Sequence, residues 1–386
     1  MRRRSFLIGG GIFVSAALVG YGVSRSEDGS ASDKDSRRPD PKNFDEPALK
    51  AMAFGMSAPN PHNTQAWKFK LLSDLEFLLY VDKNRLLSAT DPTTRQQHIG
   101  CGCFLGVMEA GMSTLGYRCQ IGILPEGEYD LDGTGIKPVA SVRIERSTEV
   151  KAAHLANSIP KRRTNRMGYT DIKVSQEEFL SMVAATAPKY CSIRLVDDAS
   201  VVADHMEVHF EAMCIESKTH AAYDESRIWF RENDAAIASK RDGINLPAGG
   251  TTGITRLLAE TMLKGLDEKT WHKPSTIEQH LSGYRKKIMK TRAIVHFVTS
   301  TNTLRDWIYC GIDYARFQLA ATSSGWYIHP MSQVLQEYPE MDALRVRYDG
   351  MCGIASPAKM QMVVRIGKGD VPFESYRRDV KGLLIA

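Results

Sequence analysis

The chain has 386 residues, 43% of them hydrophobic and 25% charged, with a formal net charge of +5. That is ample material for a large core or for two smaller ones. Arg2, Arg3 and Arg4 supply three of the net charges, so the balance excludes a general nucleic-acid binder, which would be more basic. The seven cysteines, an odd number scattered through apolar segments, exclude a disulfide framework. Cys101 and Cys103 lack the second Cys or His pair that four-ligand metal binding needs, and they read as helix residues.

In chain order, Arg3-Arg4-Ser5-Phe6-Leu7 matches the twin-arginine export pattern R-R-x-F-L. An uncharged stretch of 18 residues follows, from 6 to 23, borderline against the roughly 20 residues that span a bilayer. Residues 1–23 are therefore expected to be a signal read by the twin-arginine translocase. No small-x-small cleavage site stands after Val19, so an uncleaved membrane anchor is the other reading. Either way the protein is expected on the periplasmic or cell-envelope side. That route carries proteins already folded, commonly with cofactor inserted. Residues 24–44 are Ser, Asp, Lys, Arg and Pro with almost nothing apolar and are predicted to be a disordered tether.

The folded part is expected from residue 45. An apolar helix near residues 49–56 meets Pro59 and gives way to Asn60-Pro61-His62-Asn63-Thr64-Gln65-Ala66-Trp67, a loop rich in side-chain amides that leads into a strand. Such a loop can lay donors and acceptors against a flat ring with polar edges. Further on, Arg162-Arg163-Thr164-Asn165-Arg166 gathers forked guanidinium donors around one hydroxyl, which suits a phosphate. Taken alone, that run also suits a solvated turn.

The chain repeats itself. Cys101-Gly102 matches Cys310-Gly311, and Gly116-Tyr117 matches Gly325-Trp326, without gaps at an offset of 209 residues. Both copies read as a long buried helix ending in a glycine cap and entering a strand. Residues 49–59 repeat less clearly as 179–188, at an offset of 129. The difference leaves about 80 additional residues in the second copy, between Pro188 and Cys310, expected as a lid-like insertion at about 200–290 or as a peripheral helical hairpin. The second copy has no amide-rich loop. In the first copy the counterpart of the basic run falls near Arg37-Arg38-Pro39, inside the expected tether.

The loop at 58–67 resembles the flavin-contacting segment A-P-S-x-x-N-x-Q-P-W of the nitroreductase family, with Asn60 for Ser and Ala66 for Pro. The basic run resembles that family's phosphate-binding R-x-S-x-K segment, with Thr164 for Ser and Arg166 for Lys. The resemblance covers roughly residue 45 to the C-terminus, and is greatest to the fused, Acg-type subgroup. It implies an α+β nitroreductase-like fold in which two fused halves, 45–150 and 151–386, form an intramolecular pseudo-dimer in a monomeric chain. It implies one FMN between them, held by Asn60, Pro61 and Asn63 at the ring and ribityl chain and by Arg162, Arg163, Thr164 and Arg166 at the phosphate. Pro330, Ser332 and Gln333 would lie near flavin N5. Arg377 would join the phosphate group, although Ser375 stands where Lys is common. The implied activity passes electrons from a donor such as NAD(P)H to a nitroaromatic or quinone. The other implied reading is a flavin-sequestering protein with a lidded site and little turnover. No nucleophile elbow, H-E-x-x-H motif or carboxylate pair accompanies these segments, as suits a reaction in which the cofactor carries the chemistry.

Overall fold

Two copies of one layered unit meet across a pair of glycine-bearing helices. A computed structural model describes residues 36–148, 153–263, 265 and 267–386; the expected leader and most of the expected tether lie outside them. Among the described residues no helix is long and apolar enough to cross a membrane.

The first copy runs through helix α1 (Pro47–Gly55), strands β1 (Trp67–Ser73) and β2 (Glu76–Val81), helix α2 (Arg95–Ser113), and strands β3 (Tyr117–Ile123) and β4 (Ala140–Arg146). After the short helix α3 (Ala153–Ala156), the second begins with α4 (Gln176–Thr186) and β5 (Ser192–Val196). It resumes after an insertion with β6 (Ala293–Thr299), α11 (Leu304–Ser323), β7 (Tyr327–Pro330), α12 (Pro339–Met351) and β8 (Lys359–Gly367). Among the described residues the insertion holds six helices: α5 (Ala199–Lys218), α6 (His220–Ile228), α7 (Asp234–Lys240), α8 (Gly253–Met262), α9 (Glu268–Trp271) and α10 (Pro274–Ile288). It occupies the place of the two-residue turn that joins β1 to β2.

The sheets show the same duplication. One has the order β3-β4-β2-β1 and the other β7-β8-β6-β5, so strands at equal places in the two copies hold equal places in the sheets. A final strand β9 (Leu384–Ile385) leaves the second half and pairs in parallel with β1 through Phe69 and Lys70. Hence the expected boundary at 150 does not contain the C-terminal tail, which completes the first sheet.

Helices α2 and α11 cross at the two glycines that the repeat aligns. A methyl group at Gly102 would lie 1.9 Å from the Ile308 carbonyl oxygen, and one at Gly311 would lie 2.1 Å from that of Ile99. Ile99 and Ile308 are themselves related by the 209-residue offset. The contact is reciprocal, like the isologous interface of a symmetric dimer. Gly116 and Gly325, with φ of 71° and 74°, turn the chain after each helix; only glycine takes this backbone freely.

The second sheet is covered on both faces. Strands β6 and β8 are buried at every position, and α5 and α12 pack against them through Val202, Met206, Leu344 and Tyr348. Near-continuous burial of this kind explains why the two strands carry no clear alternation.

Residues 37–44 correct the tether expectation. Arg38 is buried and donates to the carbonyls of Ile159 at 3.4 Å and Arg162 at 3.0 Å. Pro41–Asn43 form a turn capped by the Asp40 carboxylate. A polar composition hid this, because the segment is held largely by Arg37 and Arg38, through carbonyl acceptors, Glu374 and the Phe373 and Tyr376 rings, with Phe44 its one large apolar contact.

Candidate functional site

A cavity of about 970 Å³ opens where the two halves and the insertion meet. Its wall includes all eleven residues named from the sequence: Asn60, Pro61 and Asn63; Arg162, Arg163, Thr164 and Arg166; Pro330, Ser332 and Gln333; and Arg377. Ile99, Gly100 and Cys103 of α2 and Tyr314 of α11 complete the part closest to the crossing helices.

The amide loop is held in an unusual backbone. His62, Asn63 and Gln65 have φ of 48°, 52° and 49°, left-handed values that carry strain in residues other than glycine. Gln65, wholly buried, offsets that strain. Its backbone N donates to Asn60 Oδ1 at 2.8 Å, its Nε2 donates to the Asn63 and Arg241 carbonyls, and its Oε1 accepts from Arg378 N at 2.7 Å. The Asn60 amide is likewise spent on shape, since its Nδ2 donates to the Ala58 carbonyl at 3.3 Å. Asn60 still lines the cavity, with the second Nδ2 hydrogen not used by this bond. Asn63 does retain capacity: its Nδ2 donates to the Tyr376 carbonyl, while its Oδ1 is buried without a partner.

On the other side, guanidinium groups converge from three parts of the chain. Arg162 donates Nε to the Ser57 carbonyl at 2.7 Å and Nη1 to Gln318 Oε1 at 3.2 Å. Arg377 donates Nε to the Met56 carbonyl at 2.7 Å and Nη2 to that of Ala58 at 3.2 Å. Neither makes an ion pair among the described residues. Glu374 supplies a carboxylate to this group, paired with Arg38 at 3.3 Å and Arg163 at 3.2 Å. Burial, then the charge of Arg162, pushes Arg377 well below the ordinary arginine value, and burial brings Arg162 down to about 10. Several buried positive charges thus face one another with little to neutralise them. Arg38 and Glu374 were not singled out from the sequence. The doubled Arg37-Arg38, standing where the repeat places a counterpart of the basic run, is the signal that could have found Arg38.

The insertion supplies the rest of the wall through Tyr223, Phe230, residues 243–246 and 248–252, Trp271 and Tyr284. It is tied to the amide loop: Gly243 N donates to the Asn63 carbonyl, His62 Nε2 meets Ser226 Oγ at 3.1 Å, and Arg85 pairs with Asp242. Phe230 lines the cavity, whereas the Trp229 ring lies under the Arg85 and Arg231 guanidiniums. Helix α8 is the thin part of the wall. Thr255 and Ala259 line the cavity, while Ile254, Leu257 and Leu258 are 79%, 65% and 61% exposed.

Buried histidines give a pH prediction. Burial holds His62, His98, His205 and His280 down to about 4 and His296 to about 3. Unfolding returns each to its ordinary value of 6.5, so below that pH the unfolded chain binds protons that the folded chain refuses. Burial also lowers His209 and His329. Four carboxyl groups act the other way, as burial raises Asp91 to about 6, Glu216 to about 7, and Asp313 and Asp349 as well. Seven groups outweigh four, and the midpoint of thermal unfolding is expected to rise with pH from about 4 to 6.5. A midpoint that falls over this interval would contradict the neutral, buried state of the histidines.

No protein-family model matches the chain. Among curated proteins it is similar to "Putative NAD(P)H nitroreductase Rv3131" of Mycobacterium tuberculosis, 24% identical over 322 residues that cover 82% of this chain and 83% of that one. It is also similar to "Putative NAD(P)H nitroreductase acg" of the same organism, 26% identical over 181 residues, 46% of this chain and 50% of that one. The fold is nitroreductase-like. Solved structures with a nitroreductase-like fold include the FMN- and NADPH-dependent nitroreductase NfnB of a Sphigopyxis strain, at 14% identity and a TM-score of 0.35 over 59% of this chain and 96% of that one. Another is a nitroreductase with bound FMN from Bacteroides fragilis, at 14% identity and a TM-score of 0.33 over 58% and 95%.

Proposed function

We propose that the chain is an exported, FMN-dependent oxidoreductase of the nitroreductase type, with a single flavin in the cavity between its fused halves. The observation that carries this reading is the pairing of opposite chemistries across one cavity. An amide loop from the first half, with the acceptor Asn63 Oδ1, shares the cavity with Arg162 and Arg377, buried arginines that make no ion pair among the described residues. A dianionic phosphate would neutralise those arginines, so the residues fit the phosphate end of FMN.

When bound, FMN supplies the redox chemistry, accepting a hydride equivalent and passing electrons on. The chain's own part is to bind, orient and shield. Arg162, Arg163, Arg166 and Arg377 would hold the phosphate with Thr164, and Asn63 would meet a donor on the ring or ribityl chain. Pro330, Ser332 and Gln333, at the end of β7, would border the reacting edge. The insertion would exclude water, with α8 as the segment that opens. The donor would be NAD(P)H and the acceptor a nitroaromatic or quinone, as the names of the curated relatives support for the donor.

The absorbance spectrum of the purified protein tests this. One FMN per chain is expected, because the other cross-pair, the 37–38 run against a second amide loop, has no loop to face. Bleaching by NADPH and recovery with a quinone would support turnover. A bound flavin that NADPH leaves oxidised would favour the sequestering role, for which the enclosing insertion is the favouring observation. A ratio near two, or no affinity for FMN, would reject the single composite site. Export rests on Arg3 and Arg4: changing both to Lys preserves charge and is expected to strand folded protein inside the cell. Unchanged localisation would reject twin-arginine export.

A further inference from the structure

The cavity extends well past the arginines, into a region built by the insertion. Its volume of about 970 Å³ stands at the top of the roughly 300–1,000 Å³ usual for a site that encloses one ligand. In this region α5 presents Glu216, a carboxyl group only 5% exposed. It accepts a hydrogen bond from Gln336 Nε2 at 2.8 Å and makes no ion pair among the described residues. Gln336 follows the turn of Ser332 and Gln333, so the bond joins the insertion to the edge where the flavin would react.

Two polar atoms are left over in the same wall. Gln336 Oε1 and Gln96 Nε2 are buried without partners, and both glutamines line the cavity. Orphaned polar atoms are costly unless a ligand or water meets them. The cavity is also lined by Met213, Tyr223, Trp271 and Tyr284, apolar and aromatic surface suited to a flat ring, and Tyr223 and Tyr284 lie close enough to Glu216 to feel its charge. A buried acid, an unpaired donor and an unpaired acceptor beside aromatic walls describe a place for a ring that carries oxygen atoms.

We propose that Glu216 is the catalytic acid of this enzyme, giving the proton that a quinone acceptor needs when it is reduced beside the flavin. This rests on the FMN oxidoreductase reading above. FMN, if bound here and reduced by NAD(P)H, would supply two electrons and one proton as a hydride equivalent. The Glu216 O–H bond breaks, an O–H bond forms on the quinone carbonyl oxygen, and the quinone leaves as hydroquinone. Glu216 remains as a carboxylate, held by Gln336, and takes a proton back from water.

The surroundings keep Glu216 protonated near neutrality. Burial raises it to about 7, the Gln336 bond lowers it in part, and Glu225 of α6 raises it. Glu225 is itself fixed as an acceptor of three hydrogen bonds from Ala89 and Thr90. Tyr223 of α6, Tyr284 of α10 and Tyr338 before α12 face the carboxyl group, and burial raises all three, so they stay neutral.

The experiment uses the FMN-loaded protein, wild type and Glu216→Gln, with 1,4-naphthoquinone as the probe. Three readouts are followed: binding to the oxidised protein by perturbation of the flavin spectrum, single-turnover reoxidation of the dithionite-reduced protein against pH, and the infrared carbonyl band of a protonated carboxylic acid. Wild type is expected to lose rate as pH rises through about 7 and to lose the infrared band over the same range. Glu216→Gln should bind the quinone as before, lack the band, and react roughly 100-fold more slowly at low pH with a flat profile. Gln336→Leu, which removes the bond that lowers the acid, should move the inflection upward and serves if the first variant does not fold. Equal rates and profiles in all three proteins, or no binding of the probe, would overturn the proposal and leave the flavin site standing. Failure of wild type to bind FMN would overturn both.

Discussion

Alanine at Gly102 is expected to destabilise the protein by about 3 kcal/mol or more, and alanine at Gly311 by a similar amount. At either position the added methyl group meets a backbone carbonyl, 1.9 Å away at 102 and 2.1 Å away at 311. No side-chain rotation relieves that clash, so α2 and α11 must separate. Both helices are packed into the main core through Phe104, Leu105, Phe317 and Leu319, and separation exposes their apolar faces. The measurement is the thermal midpoint of each variant beside Gly350→Ala in α12, where a methyl group meets nothing within 4 Å. That control is expected to be neutral or to gain about 0.5 kcal/mol from helix propensity. Similar midpoints for all three would mean that the helix crossing is not fixed by the glycines.

Loss of flavin is the expected result of Arg162→Ala combined with Arg166→Ala. Charge-assisted hydrogen bonds contribute roughly 1.5–3 kcal/mol each, so removing two partners of a dianionic phosphate should weaken FMN binding about 100- to 10,000-fold. Arg162 also supports the Ser57 carbonyl and Gln318, and its loss disturbs the base of the amide loop. Arg166→Ala separates the two effects, since among the described residues its side chain makes one hydrogen bond, to the Ala248 carbonyl at 3.3 Å. That variant should bind FMN about 10- to 100-fold more weakly with an unchanged unfolding midpoint in the flavin-free state. If it holds FMN as wild type does, Arg166 serves the insertion and not the phosphate.

Much of this arrangement was legible because it leaves marks at fixed spacing. The offset of 209 residues between Gly102 and Gly311 announced the helix pair, and the close approach of the two backbones is the reason that both positions are glycine. The amide loop and the arginine run stood out because a flavin site would require particular functional groups in short order, and both segments line the one cavity. What was hidden depends on distance in the chain. Arg38 reads as tether because its acceptors lie more than 100 residues away. Asn60 reads as a ligand contact, and its second task, accepting a bond from Gln65 N that closes the loop, is one that only the backbone angles reveal. Glu216 is one acid on a 20-residue helix that carries others, and nothing local marks it as the one turned inward. The same holds for β9, whose pairing with β1 joins residues over 300 apart.

The meeting of Gly102 with Gly311 has a consequence in solution. In an assembly of two separate subunits such a contact exists only above a threshold concentration, and stability depends on how much protein is present. Within a single chain the partner is always attached, and dilution cannot dissolve the interface or spill what lies between its halves. It also frees each side from copying the other. A substitution in a homodimer is imposed twice, once at each equivalent position, whereas here one half can surrender its amide loop and gain six helices while the other stays spare.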